Sequence, residues 1–459
     1  MIIIKNGTIV TESESYVSDI MIENNKISCI ETNLSNDNAE IIDASGMYII
    51  PGAVDVHTHM DLQSGNSRSI DDFYTGTVAA VCGGTTSIVD HVAFGPKNCV
   101  LRHQIDEYHE LADGKAVIDY GFHGVIQYVD DEVLSHMESL SKDGISSFKI
   151  YMTYDFKLDD VSILKVLKKA KELGVIIAVH AENNDIINYL RESYVSNGCL
   201  EAIYHAASRP DHCEAEAISR VLHLAALAGD APIYIVHVST QKGLDEIRKA
   251  RAQGQKNIFS ETCTQYLTMT EEKYLEPDNN GLKYIMSPPL RHKNDIDALW
   301  KGVQDGAINV IATDHCSFNL KGDKQKGFND FTKCPNGAPG VAERVMVIFS
   351  EGVMKKKISI NRFVELLCTN PAKIYGLYPK KGSLIPGGDA DITIINPNTE
   401  YTLSRNMLHG AVDYTCFEGM KLKGEIDTVI QSGKVAYKNN EFFGKQGDGK
   451  FIKRKVMEQ

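Results

Sequence analysis

The chain has 459 residues, of which 43% are hydrophobic and 24% charged, and this predicts a folded protein of two or three domains rather than a disordered one. Its 48 lysines and arginines against 61 aspartates and glutamates give a net charge of −13, which argues against a surface for nucleic acid or anionic membranes. No apolar run approaches the roughly 20 residues of a membrane helix, and ten cysteines without a CxxC pair favour reduced thiols in a cytoplasmic protein.

The two ends of the chain share one style of sequence. Residues 1–50 contain short strand-like runs separated by Gly, Asn and Asp turn signals, and the region after about residue 384 repeats this pattern. A few such strands need a partner sheet to bury their apolar face. We therefore predict one small β-sandwich domain built from both termini, residues 1–50 plus 380–459. The last segment, 444–459, is expected to be a solvated tail, with packing on a neighbouring subunit as the alternative.

Between these ends, residues 51–379 alternate apolar, β-branched runs with stretches of helical spacing. The runs lie at 49–56, 85–92, 117–125, 147–152, 175–179, 232–238, 257–262 and 308–313. Eight strand–helix units predict an α/β protein with a (β/α)8 barrel of the TIM type. No GxGxxG or GxxxxGK[ST] motif lies at a strand end, which argues against a nucleotide-binding fold.

Two histidines, His57 and His59, end the first predicted barrel strand in the sequence Val-Asp-Val-His-Thr-His. Residues i and i+2 of a strand point to the same side, and barrels of this type build their sites at the C-terminal ends of the strands. The two rings can share a cation if both are neutral. Alternatively, each has its own hydrogen-bonding partner.

Three later strands also end in polar side chains, those of His180, His237 and Asp314. A polar group at the end of an apolar run must find a partner or line a cleft. Singly each can be an ordinary rim residue, but jointly imidazoles and a carboxylate suit zinc or its neighbours. His91 and His123 also fall on strands, and we interpret them as structural groups or as groups behind the ligands.

A lysine, Lys149, interrupts the apolar strand at 147–152. Burial would lower its pKa by disfavouring the ammonium, and the neutral amine could react with carbon dioxide to give a carbamate that bridges two cations. The alternative is a lysine whose head reaches solvent at the rim, and the residues alone favour this second interpretation.

The order His57-x-His59, Lys149, His180, His237, Asp314 resembles the cyclic amidohydrolases of the dihydropyrimidinase and hydantoinase family. The resemblance extends over nearly the whole chain. It includes PGAVDVHTH at 51–59, CGGTT at 82–86, HAEN at 180–183, SPPLR at 287–291, TDHC at 313–316, PNGAPGV at 335–341, GGDAD at 387–391 and SGKV at 432–435.

The resemblance implies a hydrolase that opens a small cyclic amide or ureide with two divalent metal ions, expected to be zinc. His57, His59 and Asp314 would hold one ion, His180 and His237 the other, and carboxylated Lys149 would bridge them. Tyr154, Ser287 and Asn336 would bind the substrate, with Tyr154 stabilising the developing oxyanion and Asp314 moving the proton. The family also implies a homotetramer.

Several short sequence segments narrow the choice of substrate. Dihydropyrimidinases commonly carry an MPFMG-like stretch after the HxH motif, where this chain has MDLQSGNSR at 60–68. The segments AVIDY at 116–120, CEAEAI at 213–218 and DGAI at 305–308 resemble the bacterial branch that converts D-hydantoins with an aromatic group at carbon 5 to N-carbamoyl D-amino acids. Opening of dihydrouracil or dihydrothymine is the alternative, with allantoinase behind it.

An alternative from a different class is a non-catalytic assembly protein of the same fold. Such relatives have lost metal ligands, whereas all six positions are filled in this chain. Because function depends on the site rather than on the fold, the sequence favours the enzyme.

Overall fold

The computed structural model describes residues 1–457, apart from the side chain of Ser64. The chain begins with five strands, β1 (Ile2–Val10), β2 (Ser15–Glu23), β3 (Lys26–Glu31), β4 (Glu40–Asp43) and β5 (Tyr48–Pro51). β1 pairs antiparallel with β2 and parallel with β4 and β5. Most isoleucines of these strands are buried in a core that they share with Leu384, Ala390, Ile392, Ile394 and Ile430 from the C-terminal part of the chain.

A glycine divides the predicted strand at 49–56 into two. β5 ends at Pro51, and the next strand, β6 (Ala53–Thr58), belongs to the barrel. Gly52 donates its N–H to the carbonyl oxygen of Asp391 at 2.8 Å, and a Cβ here would lie only 2.1 Å from Thr86 Oγ1. Because only a residue without a side chain fits, the backbone crosses between the two sheets at this single residue.

Eight parallel strands form the barrel. After β6 comes a short ribbon, β7 (Gln63–Ser64) and β8 (Ser67–Arg68), and the barrel continues with β9 (Thr85–His91), β10 (Asp119–Val125), β11 (Ser147–Tyr151), β12 (Ile176–His180), β13 (Ile233–Ile235), β14 (Ile258–Cys263) and β15 (Val310–Ala312). Neighbours in the barrel follow chain order. The His59 N–H donates to the His315 carbonyl oxygen at 2.8 Å, which joins the last strand to the first. The predicted barrel is confirmed.

Helices cover the outside of the barrel. They are α1 (Thr75–Cys82), α2 (Leu101–Ala112), α3 (Asp131–Asp143), α4 (Asp160–Leu173), α5 (Asn184–Ser196), α6 (Ile203–Ala207), α7 (Asp211–Leu227), α8 (Gln241–Ala252), α9 (Lys293–Asp305), α10 (Arg344–Ile348), α11 (Ile360–Val364) and α12 (Asn370–Ile374). Asp130 and Asp159 cap the N-termini of α3 and α4, and Gly144 and Gly174 end both helices in the left-handed conformation. Within residues 1–457, no helix has the length and apolar character needed to cross a bilayer.

The chain then returns to the first sheet. The strands β16 (Ile392–Thr402), β17 (Lys421–Gln431), β18 (Lys434–Lys438) and β19 (Glu441–Phe442) extend it, and β16 pairs antiparallel with β5. The sheet therefore draws strands from both ends of the sequence and forms the additional β-domain that was predicted. The boundaries at residues 50 and 380 stay a prediction.

The C-terminal segment closes the floor of the barrel, at the N-terminal ends of its strands. Ile452 donates its N–H to the Tyr120 carbonyl oxygen at 2.7 Å, and the buried Arg454 guanidinium donates to Ser147 Oγ at 2.9 Å and to the Phe122 carbonyl oxygen. The expectation of a solvated tail is wrong for this part of the segment, because the basic side chain meets acceptors below the barrel. Residues 458 and 459 lie outside the described residues.

Candidate metal centre

All six predicted ligand side chains line one cavity at the C-terminal ends of the barrel strands. The cavity has a volume of about 960 Å³, and its lining includes His57, His59, Lys149, His180, His237 and Asp314. Each residue lies at or just beyond the C-terminal end of its strand, except Lys149, which lies in the middle of β11. The convergence expected from strand-end positions is therefore present.

Three of these side chains form a compact donor set. Asp314 Oδ1 lies 3.1 Å from His57 Nε2 and 3.0 Å from His59 Nε2, and the three groups offer atoms within 4.8 Å of one another. Two nitrogens and one oxygen at this spacing suit a divalent cation of the zinc type.

The other two histidines face each other beside this set. His180 Nδ1 and His237 Nε2 are 3.0 Å apart, and the His57 and His237 ring centroids are 5.5 Å apart. The opposite nitrogen of His180, Nε2, meets Glu182 Oε2 at 2.7 Å. A carboxylate on the far nitrogen fixes which nitrogen faces the centre, a common arrangement for metal-binding histidines.

Two buried glutamates support the ligands, and neither was predicted as a site residue from the sequence. Glu182 accepts a hydrogen bond from Arg209 at 2.8 Å as well as facing His180. Glu261, on β14, contacts His57 Nδ1 and accepts hydrogen bonds from the His237 backbone N–H at 3.1 Å and the Tyr234 hydroxyl at 2.8 Å. The available signal was a carboxylate inside a predicted buried strand, which requires a partner.

The electrostatics of the centre favour a bound cation. Burial would lower the pKa of His57, but the carboxylates of Glu261 and Asp314 raise it to about 9. Burial likewise would raise the pKa of Asp314, but His57 and His59 hold it well below its usual range. The carboxylates thus stabilise positive charge where the imidazoles converge.

Lys149 is buried and has no anionic partner. Burial lowers its pKa to about 8, although Asp314 and Glu261 act in the opposite direction. Among the described residues no carboxylate lies within salt-bridge distance of its Nζ, which lies 5.3 Å from the centroid of the Tyr151 ring. The residues alone favoured a lysine reaching solvent, and its 1% exposure contradicts that interpretation.

The residues present fit a pair of cations. His59 Nδ1 and His237 Nδ1 are buried without a hydrogen-bond partner, so neither ring is committed to a protein acceptor through that atom. The donor set is nitrogen and carboxylate oxygen, and the unpaired amine of Lys149 lines the same cavity. This chemistry matches zinc-type ions.

Strained backbone positions the site. Tyr154, His237 and Asp314 have φ values of 71°, 40° and 55°, a region that side-chain-bearing residues rarely adopt. Asn184, the first residue of α5, accepts the Tyr154 N–H through Oδ1 at 3.0 Å. Such strain persists only where surrounding contacts hold it, and three of the sixteen non-glycine residues with positive φ in the described chain are residues of the predicted site.

The three predicted substrate-binding residues line the same cavity. Burial raises the pKa of Tyr154 to about 12, so its hydroxyl stays protonated at neutral pH and can donate a hydrogen bond. Ser287 Oγ is buried beside the Tyr154 hydroxyl, and Asn336 lines the same cavity. The buried Lys324, which was not predicted from the sequence, links the chain segments next to Ser287 and Asn336 by donating hydrogen bonds to the carbonyl oxygens of Ile285 and Pro335 at 2.7 Å each.

Two further histidines lie beneath the centre. His123 contacts Ser147 Oγ at 2.6 Å and the Val56 carbonyl oxygen at 3.0 Å. His91 lies between the rings of His57 and His123, with centroid distances of 4.5 Å and 4.2 Å. Both therefore pack below the ligands and not among them.

A second group of carboxylates lies at the junction of barrel and β-domain. Asp119, Asp389 and Asp391 surround the buried ammonium of Lys381, which lies 2.5 Å from Asp119 and 3.0 Å from Asp389. Because an ammonium occupies the middle of this cluster, its role is an internal ion-pair network.

Comparison with known proteins gives a consistent result over the full length. A sequence profile of the amidohydrolase family matches residues 48–436. The D-phenylhydantoinase of Escherichia coli O1:K1 / APEC is 46% identical over 455 residues, which cover 99% of this chain and 98% of that protein. The structure of the D-hydantoinase from Bacillus sp. AR9, described with evidence for mercury inhibition, is 44% identical with a TM-score of 0.97 and covers 100% of both chains. The dihydropyrimidinase of Brevibacillus agri NCHU1002 is 43% identical with a TM-score of 0.97, covering 100% of this chain and 99% of that one.

Proposed function

Because the chain belongs to the amidohydrolase family, we propose that it is a D-hydantoinase that opens 5-substituted D-hydantoins to N-carbamoyl D-amino acids. It is a cyclic amidohydrolase, an enzyme that hydrolyses a carbon–nitrogen bond of a cyclic amide. The single observation that carries the proposal is the convergence of the six ligand side chains in one cavity, in a chain 46% identical to a D-phenylhydantoinase.

The proposed centre holds two divalent cations. His57, His59 and Asp314 would bind one and His180 and His237 the other, with Lys149 bridging as a carbamate formed from its neutral amine and carbon dioxide with loss of a proton. When bound, the ions would lower the pKa of a water from about 15.7 towards 7 and polarise the scissile carbonyl. Zinc as the metal, the carbamate, a homotetrameric assembly and a cytoplasmic location are parts of the same proposal.

The protein's own side chains complete the reaction. The Tyr154 hydroxyl, which is protonated at neutral pH, donates a hydrogen bond to the carbonyl oxygen as negative charge develops there. Asp314, whose low pKa keeps it ionised, accepts the proton of the attacking water on a carboxylate oxygen and returns it to the leaving ring nitrogen. Ser287 and Asn336 hold the remaining ureide atoms and thereby orient the ring.

An aromatic wall on one side of the cavity supports an aromatic substituent at carbon 5. Phe94 and Tyr151 have ring centroids 5.1 Å apart, and Tyr154 and Phe156 are 5.9 Å apart, all lining the cavity. An aromatic substituent on the substrate could bury its apolar surface against these rings and make edge-to-face contacts with them.

A panel of three rings tests the function. With D-5-phenylhydantoin, dihydrouracil and allantoin, we expect the highest kcat/KM for the first. A preference for dihydrouracil would favour the dihydropyrimidinase alternative, which the similarity to the Brevibacillus agri enzyme makes the second candidate. Allantoin as best substrate, or no turnover of any ring by folded, metal-loaded protein, would contradict the proposal.

Glu182 offers a test of the support behind the ligands. In Glu182→Gln the side chain keeps its size but loses the charge that faces His180 and Arg209, and such losses weaken metal binding by about 10- to 100-fold. The measurement is metal content after titration with a chelator. The matched control is Glu192→Gln, on the exposed side of α5, which should leave the chelator midpoint unchanged. Equal midpoints in all three proteins would contradict the role of Glu182.

A further inference from the structure

The outer part of the cavity contains a guanidinium group without an acidic partner. Helix α5 forms one wall through Asn184, Ile187, Asn188 and Arg191, whose spacing places them on one face of the helix. The Arg191 side chain is half-buried and donates a hydrogen bond to Asn188 Oδ1 at 2.9 Å. Among residues 1–457 no aspartate or glutamate lies within salt-bridge distance of it.

The other cations that line this cavity outside the metal centre have acidic partners of their own. Lys326 lies 3.0 Å from Asp323, Lys333 lies 3.6 Å from Asp330, and Arg209 lies 2.8 Å from Glu182. In the described part of the chain, the exposed Asp155 is the one carboxylate besides Asp314 that lines the cavity. Arg191 therefore lines the cavity as a half-buried positive charge without an ion-pair partner among the residues that the structure describes, in a protein of net charge −13.

The place of Arg191 on α5 suits a substrate side chain of a particular length. Asn184 accepts the Tyr154 N–H, so the start of α5 lies beside the residue proposed to contact the ring's carbonyl oxygen. Asn188 lies four residues later, about 6 Å along the helix axis, and long helical side chains lean towards the N-terminus, as Arg191 does in contacting Asn188. A group in the para position of a phenyl substituent lies about 6 Å from carbon 5 at ordinary bond lengths.

We infer that the preferred substrates are hydantoins whose carbon-5 substituent ends in an anionic group such as a carboxylate, and that Arg191 binds this group. The inference rests on the proposed function and narrows its substrate class. A guanidinium pairs with a carboxylate through two parallel hydrogen bonds, which combines charge with direction. Phe94, Tyr151 and Phe156 of the aromatic wall would contact the part of the substituent between carbon 5 and the anionic group, and Arg191 on α5 would bind the anionic group itself.

The test compares three D-hydantoins that share one scaffold, with 4-carboxyphenyl, 4-carbamoylphenyl or phenyl at carbon 5. The acid and the amide have nearly the same shape and differ in charge. In the unmodified enzyme we expect kcat/KM for the acid to exceed that for the amide by about tenfold or more, as a charged hydrogen bond provides. In Arg191→Met this preference should disappear, mainly through KM, because the contact is the same before and during the reaction.

Controls separate this role from others. Arg248→Met removes the same charge from α8, where the half-buried Arg248 pairs with Asp305 at 2.8 Å outside the cavity lining, and should keep the preference for the acid. Raising the salt concentration should lower kcat/KM of the unmodified enzyme for the acid and leave that for the amide nearly constant. This measurement holds even if Arg191→Met fails to fold.

Three results would overturn the inference. The first is equal kcat/KM for acid and amide in the unmodified enzyme. The second is a loss in Arg191→Met that is the same for all three rings, since this would indicate packing of Arg191 on the aryl group and not recognition of an anion. The third is no turnover of any ring, which overturns the proposed function as well, whereas the first two leave hydantoin hydrolysis intact.

Discussion

Replacing Lys149 with Ala is expected to remove nearly all hydantoin hydrolysis. The side chain is buried in the cavity without a carboxylate partner, and in the proposed centre it bridges two cations. The stabilisation that cations give to a transition state is several kcal/mol, so we expect kcat to fall by about 10³-fold or more. The measurements are kcat for D-5-phenylhydantoin and metal per chain, with close to two divalent ions in the unmodified protein and fewer in the variant.

Rescue and control experiments make this result specific. A short carboxylic acid such as acetate or propionate should restore part of the activity of Lys149→Ala, since it supplies the missing carboxylate in the vacated space. Lys142→Ala, which changes an exposed lysine on α3, should behave like the unmodified protein. Unchanged turnover in Lys149→Ala, or an active protein that holds no metal, would refute the proposed centre.

The largest loss of stability is expected from Lys381→Met. The ammonium of Lys381 is 1% exposed and contacts Asp119, Asp389 and Asp391. Its removal leaves the buried Asp119 and Asp391 without a counter-charge, whereas Asp389 keeps its ion pair with Lys26. Breaking a buried pair in this way costs about 3–5 kcal/mol of unfolding free energy. Burial alone would lower the pKa of Lys381, but the three carboxylates raise it. A lysine whose pKa is higher in the folded than in the unfolded protein stabilises the fold fully at any pH below the unfolded pKa. The full loss of unfolding free energy in Lys381→Met should therefore be present at neutral pH.

The adjacent lysine provides the control. Lys380 lies 3.9 Å from Asp389 and is 55% exposed, so Lys380→Met should lower the unfolding free energy by less than about 1 kcal/mol. The measurement is the midpoint of urea unfolding at pH 7 for both variants. Similar midpoints would show that the cluster around Lys381 does not stabilise the junction between barrel and β-domain.

The sequence predicted what depends on local pattern. Short apolar, β-branched runs predicted the barrel strands. The polar residues at the ends of three runs predicted His180, His237 and Asp314 as site residues, because the C-terminal strand ends of such a barrel face the site. Pattern could not reveal the division at Gly52, since the close approach to Thr86 depends on how two sheets meet. It also missed the change of register of β6 with β9 between Asp55 and Thr58, a bulge that re-aims side chains.

The sequence pattern could not predict which residues distant in the chain contact each other. Glu261 supports His57 from a position 204 residues later, and Lys381 meets Asp119 across 262 residues. A buried charge signals only that a partner exists, while the fold decides which one. The charge of Arg191 is likewise visible in the sequence, but its place on the cavity wall follows from the helix face that the barrel leaves open.

The pairing of β5 with β16 has a consequence for the synthesis of the protein. Pro51 and its partner Ile392 are 341 residues apart in the chain. At about 5–20 residues per second, the ribosome delivers the second strand about 17–70 s after the first, and domains otherwise fold as they emerge. During that interval the edge of β5 has no antiparallel neighbour, and an open strand edge invites pairing with other chains. The turns between β1 and β5 are rich in asparagine and acidic residues, and polar or charged flanks of this kind disfavour such edge-to-edge pairing.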